Sequence, residues 1–463
     1  MQDNEFLGRE PVGKLLVKLS LPAITAQLIN MMYNLVDRIY IGHIPEIGTT
    51  ALTGVGVCMP IIMLISAIAA FVAMGSAPRA SIFMGKRDNQ AAEQIMGNST
   101  TLLVIFSAVI TATILIFDKP LLMMFGASET TIQYASQYMR IYGVGTISVL
   151  FSLGLNAFIT AQGFAKTSML TVLIGAISNI VLDPILIFGF HMGVRGAAYA
   201  TVISQSISAV WVVCFLNSKK TLLKMHKENF RIRWKVISPC LMLGLGPFIM
   251  QATESALMVC FNSSLLKYGG DIAVGSMTIL NSVMQFSMLP LMGLAQGAQP
   301  IASYNFGARK ADRLKKTFRL LVISSFSYTM LLWILVMSFP AVFAKIFSPN
   351  AELISYTSHI LRIYMLAMGL MGIQNACQMT FVSIGNSVSS LSVALLRKVV
   401  LLIPLIYILP HILPNQVDAV FSAEPIADFL SVTFTSILFT IQFRKAIASL
   451  TAEPGKTVQK AEK

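Results

Sequence analysis

Charged residues are scarce in this chain of 463 residues: aspartate, glutamate, lysine and arginine together make up only 12% of it. Soluble proteins carry roughly 25% charged residues, and a single soluble core stops growing near about 250–300 residues. Hydrophobic residues make up 55% of the chain, more than one such core can hide. The composition therefore excludes an ordinary soluble protein and indicates that most of the surface faces lipid.

Motifs for enzymatic chemistry and for metal or nucleotide binding are also missing. The five cysteines have no C-x-x-C spacing, which indicates small buried side chains rather than disulfides or a metal site. The five histidines have no H-E-x-x-H spacing, and the chain has no G-x-S-x-G or Walker motif. We therefore expect no enzyme activity and no cofactor. The net charge of +14 comes without any nucleic-acid-binding pattern, so nucleic acid is not an expected partner.

Apolar runs long enough to cross a bilayer, about 20 residues each, occur twelve times. They lack the ten-residue alternation of a membrane β-barrel. The sequence therefore predicts an all-α polytopic membrane protein with twelve transmembrane helices. The predicted spans, numbered 1 to 12, are 15–41, 51–78, 92–117, 131–160, 169–190, 196–217, 237–266, 273–300, 317–343, 353–382, 389–410 and 419–443.

Basic residues are distributed unevenly between the two sides of these spans. The terminal segments and the loops on their side hold 23 lysines and arginines, and the alternate loops hold 4. Because cytoplasmic loops are enriched in basic residues, we predict that both termini lie in the cytoplasm. An even number of spans agrees with this orientation.

An internal repeat divides the chain. Residues 75–87 and 297–309 lie 222 positions apart and are identical at six of thirteen positions, and 134–142 and 356–364 share that offset with five identities in nine. Each copy holds six spans, so we predict two lobes related by a pseudo-twofold axis along the membrane normal. The predicted units are an N-terminal lobe (1–217), a basic cytoplasmic connector (218–236), a C-terminal lobe (237–447) and a cytoplasmic tail (448–463).

Acidic residues inside predicted spans are functional candidates, because a charge at the bilayer centre costs about 2.5–3.5 kcal/mol. Asp37 in span 1 ends a polar stripe on one helical face, with spacings of three, four and three residues. Asp183 in span 5 lies one turn after Asn179, and Thr201 and Gln205 lie one turn apart in span 6. The members of the stripe in span 1 are Gln27, Asn30, Asn34 and Asp37.

We predict that these residues line a polar chamber in the first lobe. Two carboxylates in a low-dielectric chamber disfavour each other's ionisation, so one takes a proton or a cation neutralises the pair. The alternative for Asp37 is a structural ion pair with Arg38, although adjacent residues diverge on a helix. For Glu254 in span 7, a structural and a functional role remain equally open.

Other charged residues in the second lobe are expected at the membrane surfaces. Asp428 and Glu424 lie early in span 12 and are expected at the outer interface. Arg397 and Lys398 lie about two turns into span 11, from where long side chains can reach the cytoplasmic surface.

Four segments carry a resemblance to a known family: residues 33–42, 179–189, 196–204 and 304–307. In their order and spacing the chain resembles the multidrug and toxic compound extrusion (MATE) family, in its bacterial MepA-like/DinF-like branch. The resemblance implies a secondary antiporter that exports cationic or amphipathic drugs in exchange for H⁺ or Na⁺. It also implies a monomer in the bacterial inner (cytoplasmic) membrane.

The resemblance assigns the coupling ion to Asp37 and Asp183, with Asn179 and Thr201 as neighbours. Apart from Na⁺ at this pair, we expect no metal. Span 10 carries glutamine and asparagine where other branches place a carboxylate, which favours the first lobe as the ion site. The residues expected to line the substrate cavity are Gln27, Asn30, Asn34, Asn156, Gln205, Glu254, Asn281, Gln285, Gln374, Asn375 and Gln378. A flippase for lipid-linked precursors on the same fold is the alternative function, and it would be expected to have a strongly basic central cavity.

Overall fold

The chain folds into helices and connecting turns in the computed structural model, which describes residues 5–347 and 351–451. Ten helices are long and apolar enough to cross a membrane, and two bent helix pairs bring the number of spans to 12. The predicted all-α membrane fold with twelve spans is confirmed, and the described ranges contain no strand. The spans are 1, Val12–Gly42; 2, Gly48–Gly85; 3, Asn89–Met124; 4, Ile132–Val144 with Thr146–Ala161; 5, Ala165–Gly189; 6, Val194–Leu216; 7, Trp234–Gly270; 8, Ile272–Gly307; 9, Ala311–Ser338; 10, Ala351–Tyr364 with Met368–Ser383; 11, Ser387–His411; and 12, Gln416–Thr451.

Many helices are longer than the apolar runs that predict them. Span 9 begins at Ala311, six residues before the predicted start, and its first turns carry Asp312 and several basic residues. An apolar run marks the part of a helix that lies in lipid, whereas the helical backbone continues into water. Spans 7 and 8 follow each other almost directly, and the helix is broken at Gly270, the last residue of span 7, whose φ is 65°. Glycine adopts this conformation without steric cost.

Irregular backbone occurs in corresponding spans of the two lobes. The two parts of span 4 are bent by 58° and those of span 10 by 47°. Span 5 ends in a π-helical segment, Ile185–Gly189, and span 11 contains another, Leu396–Leu402. Such segments often mark functional positions because they interrupt the regular hydrogen-bond ladder and re-aim side chains.

The backbone repeats itself at the offset of 222 residues. Arg87 and Arg309 both adopt a positive φ, 64° and 56°, and so do Gly163 and Gly385, at 89° and 77°. A positive φ is uncommon for a residue other than glycine, so its recurrence at equivalent arginines supports the duplication. The chain therefore forms two six-helix lobes. The exact boundaries of lobes, connector and tail stay predictions, and residues 452–463 of the tail lie outside the described ranges.

The lobes meet where spans 2 and 8 end. A side chain at Gly85 would overlap the carbonyl of Tyr304, and one at Gly307 would overlap the carbonyl of Ile82. These two contacts are equivalent under the repeat. Spans 2 and 7 also pack closely, since the phenyl rings of Phe71 and Phe248 lie 5.3 Å apart. Glycine at these crossings lets the two backbones approach in the way that helices in membranes pack.

Both described ends of the chain lie beside this crossing. The side-chain amide of Asn305 donates to the carbonyl of Leu7 at 3.0 Å, and the guanidinium of Arg309 donates to the carbonyl of Ser449 at 2.9 Å. We call this side of the molecule the terminal face. The inter-lobe contacts described above lie in the halves of the spans nearest to it, so the two lobes are closed against each other at the terminal face.

Candidate functional site

Asp37 and Asp183 come together in the first lobe. Span 1 packs against span 5, and the two carboxyl groups lie within hydrogen-bonding distance of each other. The side chain of Asp183 is fully buried and that of Asp37 is half-buried. Two carboxyl groups hydrogen-bond directly only when one carries a proton; otherwise a cation must lie between them. The pair that the sequence predicts is therefore formed.

The two carboxylates have few hydrogen-bond donors and no ion-pair partner among the described residues. Neither carboxylate forms an ion pair with a lysine, arginine or histidine of the described residues, and Arg38 is exposed rather than paired with Asp37. The amide of Asn179 donates to Asp183 Oδ1 at 3.4 Å. Within the described ranges no N–H or O–H group donates to Asp37 Oδ1 or to Asp183 Oδ2. The structural ion pair with Arg38 is therefore not formed.

Tyrosines surround the pair and were missed at the sequence level. Tyr33 lies next to Gln205, and Tyr138 lies next to Thr201. Tyr138 also stacks on Tyr142, with ring centroids 6.1 Å apart. Tyr33 lies one turn before Asp37 on the same helical face, a signal that the sequence does contain. The tyrosines of span 4 are brought there only by tertiary packing.

The candidate ion ligands in the chamber are all oxygen atoms. Its candidate ligands are the two carboxylates, the unpartnered Oδ1 of Asn179 and the hydroxyl of Thr201. Hard oxygen ligands suit a proton, a hydrated proton or a small hard cation. No cluster of three or more histidine, cysteine or acidic side chains that could hold a metal ion occurs among the described residues. The arrangement therefore offers oxygen ligands of the kind that suit a proton or a small hard cation.

A second charged cluster is buried in the C-terminal lobe. Arg397 donates to Glu424 at 2.9 Å and to Asp428 at 2.6 Å, and all three side chains are buried. Lys398, also buried, donates to Glu254 at 2.7 Å, and the Glu254 side chain is 60% exposed. Tyr364, equivalent to Tyr142 in the repeat, lies close enough to interact electrostatically with these carboxylates.

Two expectations about this lobe are wrong. Arg397 and Lys398 do not extend to the membrane surface, and Glu424 and Asp428 do not lie at the outer interface. Arg397 is ten residues from the start of span 11 at Ser387, which is about 15 Å along a helix, half of the lipid core. At that depth, pairing with buried carboxylates satisfies the charge better than stretching towards water does.

The remaining predicted residues are dispersed. Gln205 accepts a hydrogen bond from Ser152 at 2.5 Å inside the first lobe, whereas Gln27 donates across the lobe interface to Gln296 at 3.2 Å. Asn34 donates to the carbonyl of Asn30 in its own helix at 2.6 Å, and both are exposed. The polar stripe of span 1 therefore has two environments. Gln27 lies at the interface between the lobes, whereas Asn30 and Asn34 lie nearer to Asp37.

Two predicted residues make equivalent structural contacts in the two lobes. The amide of Asn156 donates to the carbonyl of Ser168 at 3.3 Å, and the amide of Gln378 donates to the carbonyl of Ser390 at 3.2 Å. Both pairs lie 222 residues apart. These side chains therefore tie spans 4 and 5, and spans 10 and 11, together.

The other second-lobe amides have local partners or lie apart from the acids. Gln374 donates to the hydroxyl of Ser431 at 3.2 Å, and Asn375 donates to the carbonyl of Leu291 at 3.1 Å. Asn281 is half-buried and Gln285 is exposed in span 8. None of these contacts joins the amides to the buried carboxylates, and their place in a substrate cavity stays a prediction.

Known proteins resemble the chain over nearly its whole length. The family model described as MatE matches twice, at residues 22–185 and 247–408, once in each lobe. "Multidrug export protein MepA" of Staphylococcus haemolyticus is 24% identical over 435 residues, covering 93% of this chain and 95% of that protein. "FAD transporter" of Shewanella oneidensis is 26% identical over 448 residues, with coverage of 93% and 95%.

Solved structures show the same fold. "Crystal structure of MATE in the bent conformation" superposes with a TM-score of 0.91 at 23% identity, covering 98% of this chain and 100% of that one. "Crystal structure of MATE in complex with MaL6" gives a TM-score of 0.88 at 24% identity, with coverage of 96% and 99%. Twelve helices in two lobes are thus an arrangement shared with known transporters.

Proposed function

The chain belongs to the MatE family of multidrug efflux transporters, and from this premise we propose that it is a secondary antiporter. It exports cationic or amphipathic small molecules by alternating access. Inward movement of H⁺ or Na⁺ drives the export. The ion binds at Asp37 and Asp183 in the first lobe.

The uncompensated carboxyl pair carries this proposal. Asp183 is fully buried, meets Asp37 at hydrogen-bonding distance and has no cationic partner among the described residues. A buried pair of like charges is costly unless a proton or cation neutralises it. Loading and unloading that ion changes the charge of the chamber by one unit. This change is the kind of event that shifts a two-state equilibrium between conformers.

The second lobe favours a positively charged cargo. Its buried cluster has three carboxylates, Glu254, Glu424 and Asp428, against the two cations of Arg397 and Lys398. Glu254 is exposed for most of its surface and is the member that an organic cation can reach. One relative carries the name "FAD transporter", but an anionic nucleotide cofactor would meet an excess of negative charge here. The same excess argues against a lipid-precursor flippase with a basic cavity.

The terminal face is the cytoplasmic one in this proposal, because the loops on that side carry most of the basic residues. The conformer described here is then closed towards the cytoplasm, and the pair takes its ion from outside. We place the protein in a bacterial cytoplasmic membrane, acting as a monomer without any cofactor besides the coupling ion.

Efflux from proteoliposomes tests the proposal. A fluorescent organic cation is followed under an imposed pH gradient, an imposed Na⁺ gradient or neither, for the wild type and for Asp37→Asn. We expect one of the gradients to stimulate efflux in the wild type and neither to do so in Asp37→Asn. Export of free FAD, measured in the same vesicles under the same gradients, tests the competing cargo.

Asp312→Asn is the matched control, since the Asp312 side chain is fully exposed in the first turn of span 9. It loses the same charge without touching the chamber and should keep the wild-type response. Undiminished stimulation in Asp37→Asn would remove that residue from coupling. FAD export with no cation export would overturn the proposed cargo.

A further inference from the structure

A cleft of about 430 Å³ opens at the terminal face, directly over the crossing of spans 2 and 8. Three separate segments line it: residues 85–87 of the first lobe, residues 307–310 of the second lobe with Tyr304, and Glu5 and Arg9 near the start of the chain. A volume of this size accommodates a small ligand. The cleft is far in sequence and position from the acids of either lobe.

The lining is strongly basic. Arg9, Lys86, Arg87, Arg309 and Lys310 contribute five cations. The single carboxylate in the lining belongs to Glu5, and it pairs with both Arg87 and Arg9. Basic residues are ordinary on the cytoplasmic side of a membrane protein, where they are usually spread over loops. Here five of them line one concave volume that contains a single carboxylate, and Arg309 and Lys310 also donate to backbone carbonyls.

The fold fixes two of these cations side by side. Arg87 and Arg309 end spans 2 and 8 at equivalent repeat positions, with the same left-handed backbone. The close contacts of Gly85 and Gly307 with the opposite helix hold the two turns together. Lys310 is anchored by a 2.8 Å hydrogen bond from its ammonium to the carbonyl of Gly8. The basic groups are therefore pre-arranged rather than gathered by a ligand.

We propose that this cleft binds a phosphate-bearing anion. Arginine and lysine bind phosphate oxygens by charge-assisted hydrogen bonds, and the flat guanidinium of arginine suits two oxygens at once. The anion is either the headgroup of an acidic phospholipid or a soluble diphosphate. This binding does not depend on the ion coupling proposed for the first lobe.

The site has a consequence for the transport cycle because both lobes build it. When the lobes separate at the terminal face, the contacts of Gly85 and Gly307 break and the two halves of the cleft move apart. An anion that binds only the assembled cleft stabilises the conformer closed at this face by mass action. This step rests on the transport cycle and orientation proposed above: the ligand acts as a brake on opening towards the side where the cargo is loaded.

Binding is tested on the purified full-length protein with two probes. Inorganic pyrophosphate is titrated by calorimetry in detergent, and native mass spectrometry follows phosphatidylglycerol against phosphatidylcholine from mixed nanodiscs without soluble phosphate. We expect one probe to bind selectively, with an affinity that falls as salt is added. Pyrophosphate binding alone identifies a soluble anion, and selective retention of phosphatidylglycerol alone identifies a lipid headgroup. Absence of both overturns the proposal.

The double variant Lys86→Gln/Arg87→Gln should weaken binding at least tenfold. Lys219→Gln/Lys220→Gln is the control, since it removes two exposed basic residues of the connector outside the cleft, and it should change the affinity less than twofold. Melting temperatures confirm that both variants are folded. Equal losses in the two variants would show general charge attraction only and would overturn the site.

Hydrogen–deuterium exchange measures the coupling to the lobes. The anion should protect residues 82–87 and 304–310 in the wild type and leave them unchanged in the double variant. Binding without such protection would overturn the proposed brake.

Discussion

The two lobes arise from one duplication but treat their buried acids in opposite ways. In the first lobe, Asp37 and Asp183 meet without a cation among the described residues. In the second lobe, Arg397 forms ion pairs with both Glu424 and Asp428. The first lobe therefore contains a carboxyl pair that needs a proton or cation from solution. The second lobe contains a cluster whose carboxylates pair with cationic side chains of the protein.

Sequence differences at a few equivalent positions produce this contrast. Shifted by 222 residues, Arg397 and Lys398 correspond to Gly175 and Ala176, and Asp183 corresponds to Leu405. The acids and bases of the second lobe are therefore not inherited copies of the first-lobe chamber. A buried ion pair contributes little net stability, but it becomes costly when one partner is lost. This asymmetry is what the following variants test.

The largest effect is expected from Asp183→Asn. Removing one carboxylate leaves Asp37 without the like charge that favours binding of a proton or cation, so gradient-driven efflux should fall to the level without a gradient. Its melting temperature should not fall, because no buried partner is left unpaired. The control is Asp118→Asn, since Asp118 is a buried acid of the same lobe that Arg140 pairs at 2.8 Å. That variant should keep coupling, because the Arg140 side chain is 56% exposed and stays hydrated when its partner is lost. Loss of coupling in Asp118→Asn together with full coupling in Asp183→Asn would contradict the comparison.

Arg397→Met should be the most destabilising change in the second lobe. It leaves two buried carboxylates without their cation, and breaking a buried ion pair costs about 3–5 kcal/mol. Equilibrium unfolding in detergent measures the loss. Adding Glu424→Gln and Asp428→Asn to the same protein should restore most of the stability. If the triple variant were no more stable than the single one, lost packing rather than charge would be the cause.

Glu254→Gln and Lys398→Met should differ although they break the same bond. Lys398 is buried, whereas the Glu254 side chain is 60% exposed. Removing the glutamate leaves a buried ammonium and should cost about 2 kcal/mol; removing the lysine leaves a carboxylate that water reaches and should cost less than about 1 kcal/mol. Lys398→Met should also lower the KM for an organic cation severalfold. If Lys398→Met were the less stable variant, burial of Lys398 would not be what decides the cost of breaking this ion pair.

Tyr33→Phe should have the smallest effect of the series. It removes a hydroxyl next to Gln205, a change worth at most about 1 kcal/mol, and Gln205 keeps its hydrogen bond from Ser152. Coupled efflux should persist. Tyr40→Phe is the control in the same span, because its ring contact with Phe188, at 6.4 Å between centroids, is retained. Loss of coupling in Tyr33→Phe would mean that its hydroxyl is itself part of the ion site.

Predictability from sequence differs between the two clusters for a geometric reason. Asn179 and Asp183 lie one turn apart in a single helix, as do Tyr33 and Asp37, so helical periodicity places them on shared faces. Arg397 and Glu424 are separated by 27 residues and lie in different spans. No helical periodicity connects these two residues. Their positions near the ends of the predicted spans led to the expectation that both side chains lie at the membrane surfaces. That expectation failed because a partner inside the protein was not visible in the sequence.

The sequence by itself determined that the chain spans a membrane, how many times it does so and that it is a duplication, because lipid demands long apolar helices and a repeat leaves identical residues at a fixed offset. It also singled out Asp37 and Asp183. Only the tertiary structure decided that these two carboxyls meet, that the second-lobe acids pair with cations of the same lobe, and that five basic residues line one cleft. Each of these depends on how separate helices pack, which follows from the shapes of whole faces rather than from the spacing within any one helix.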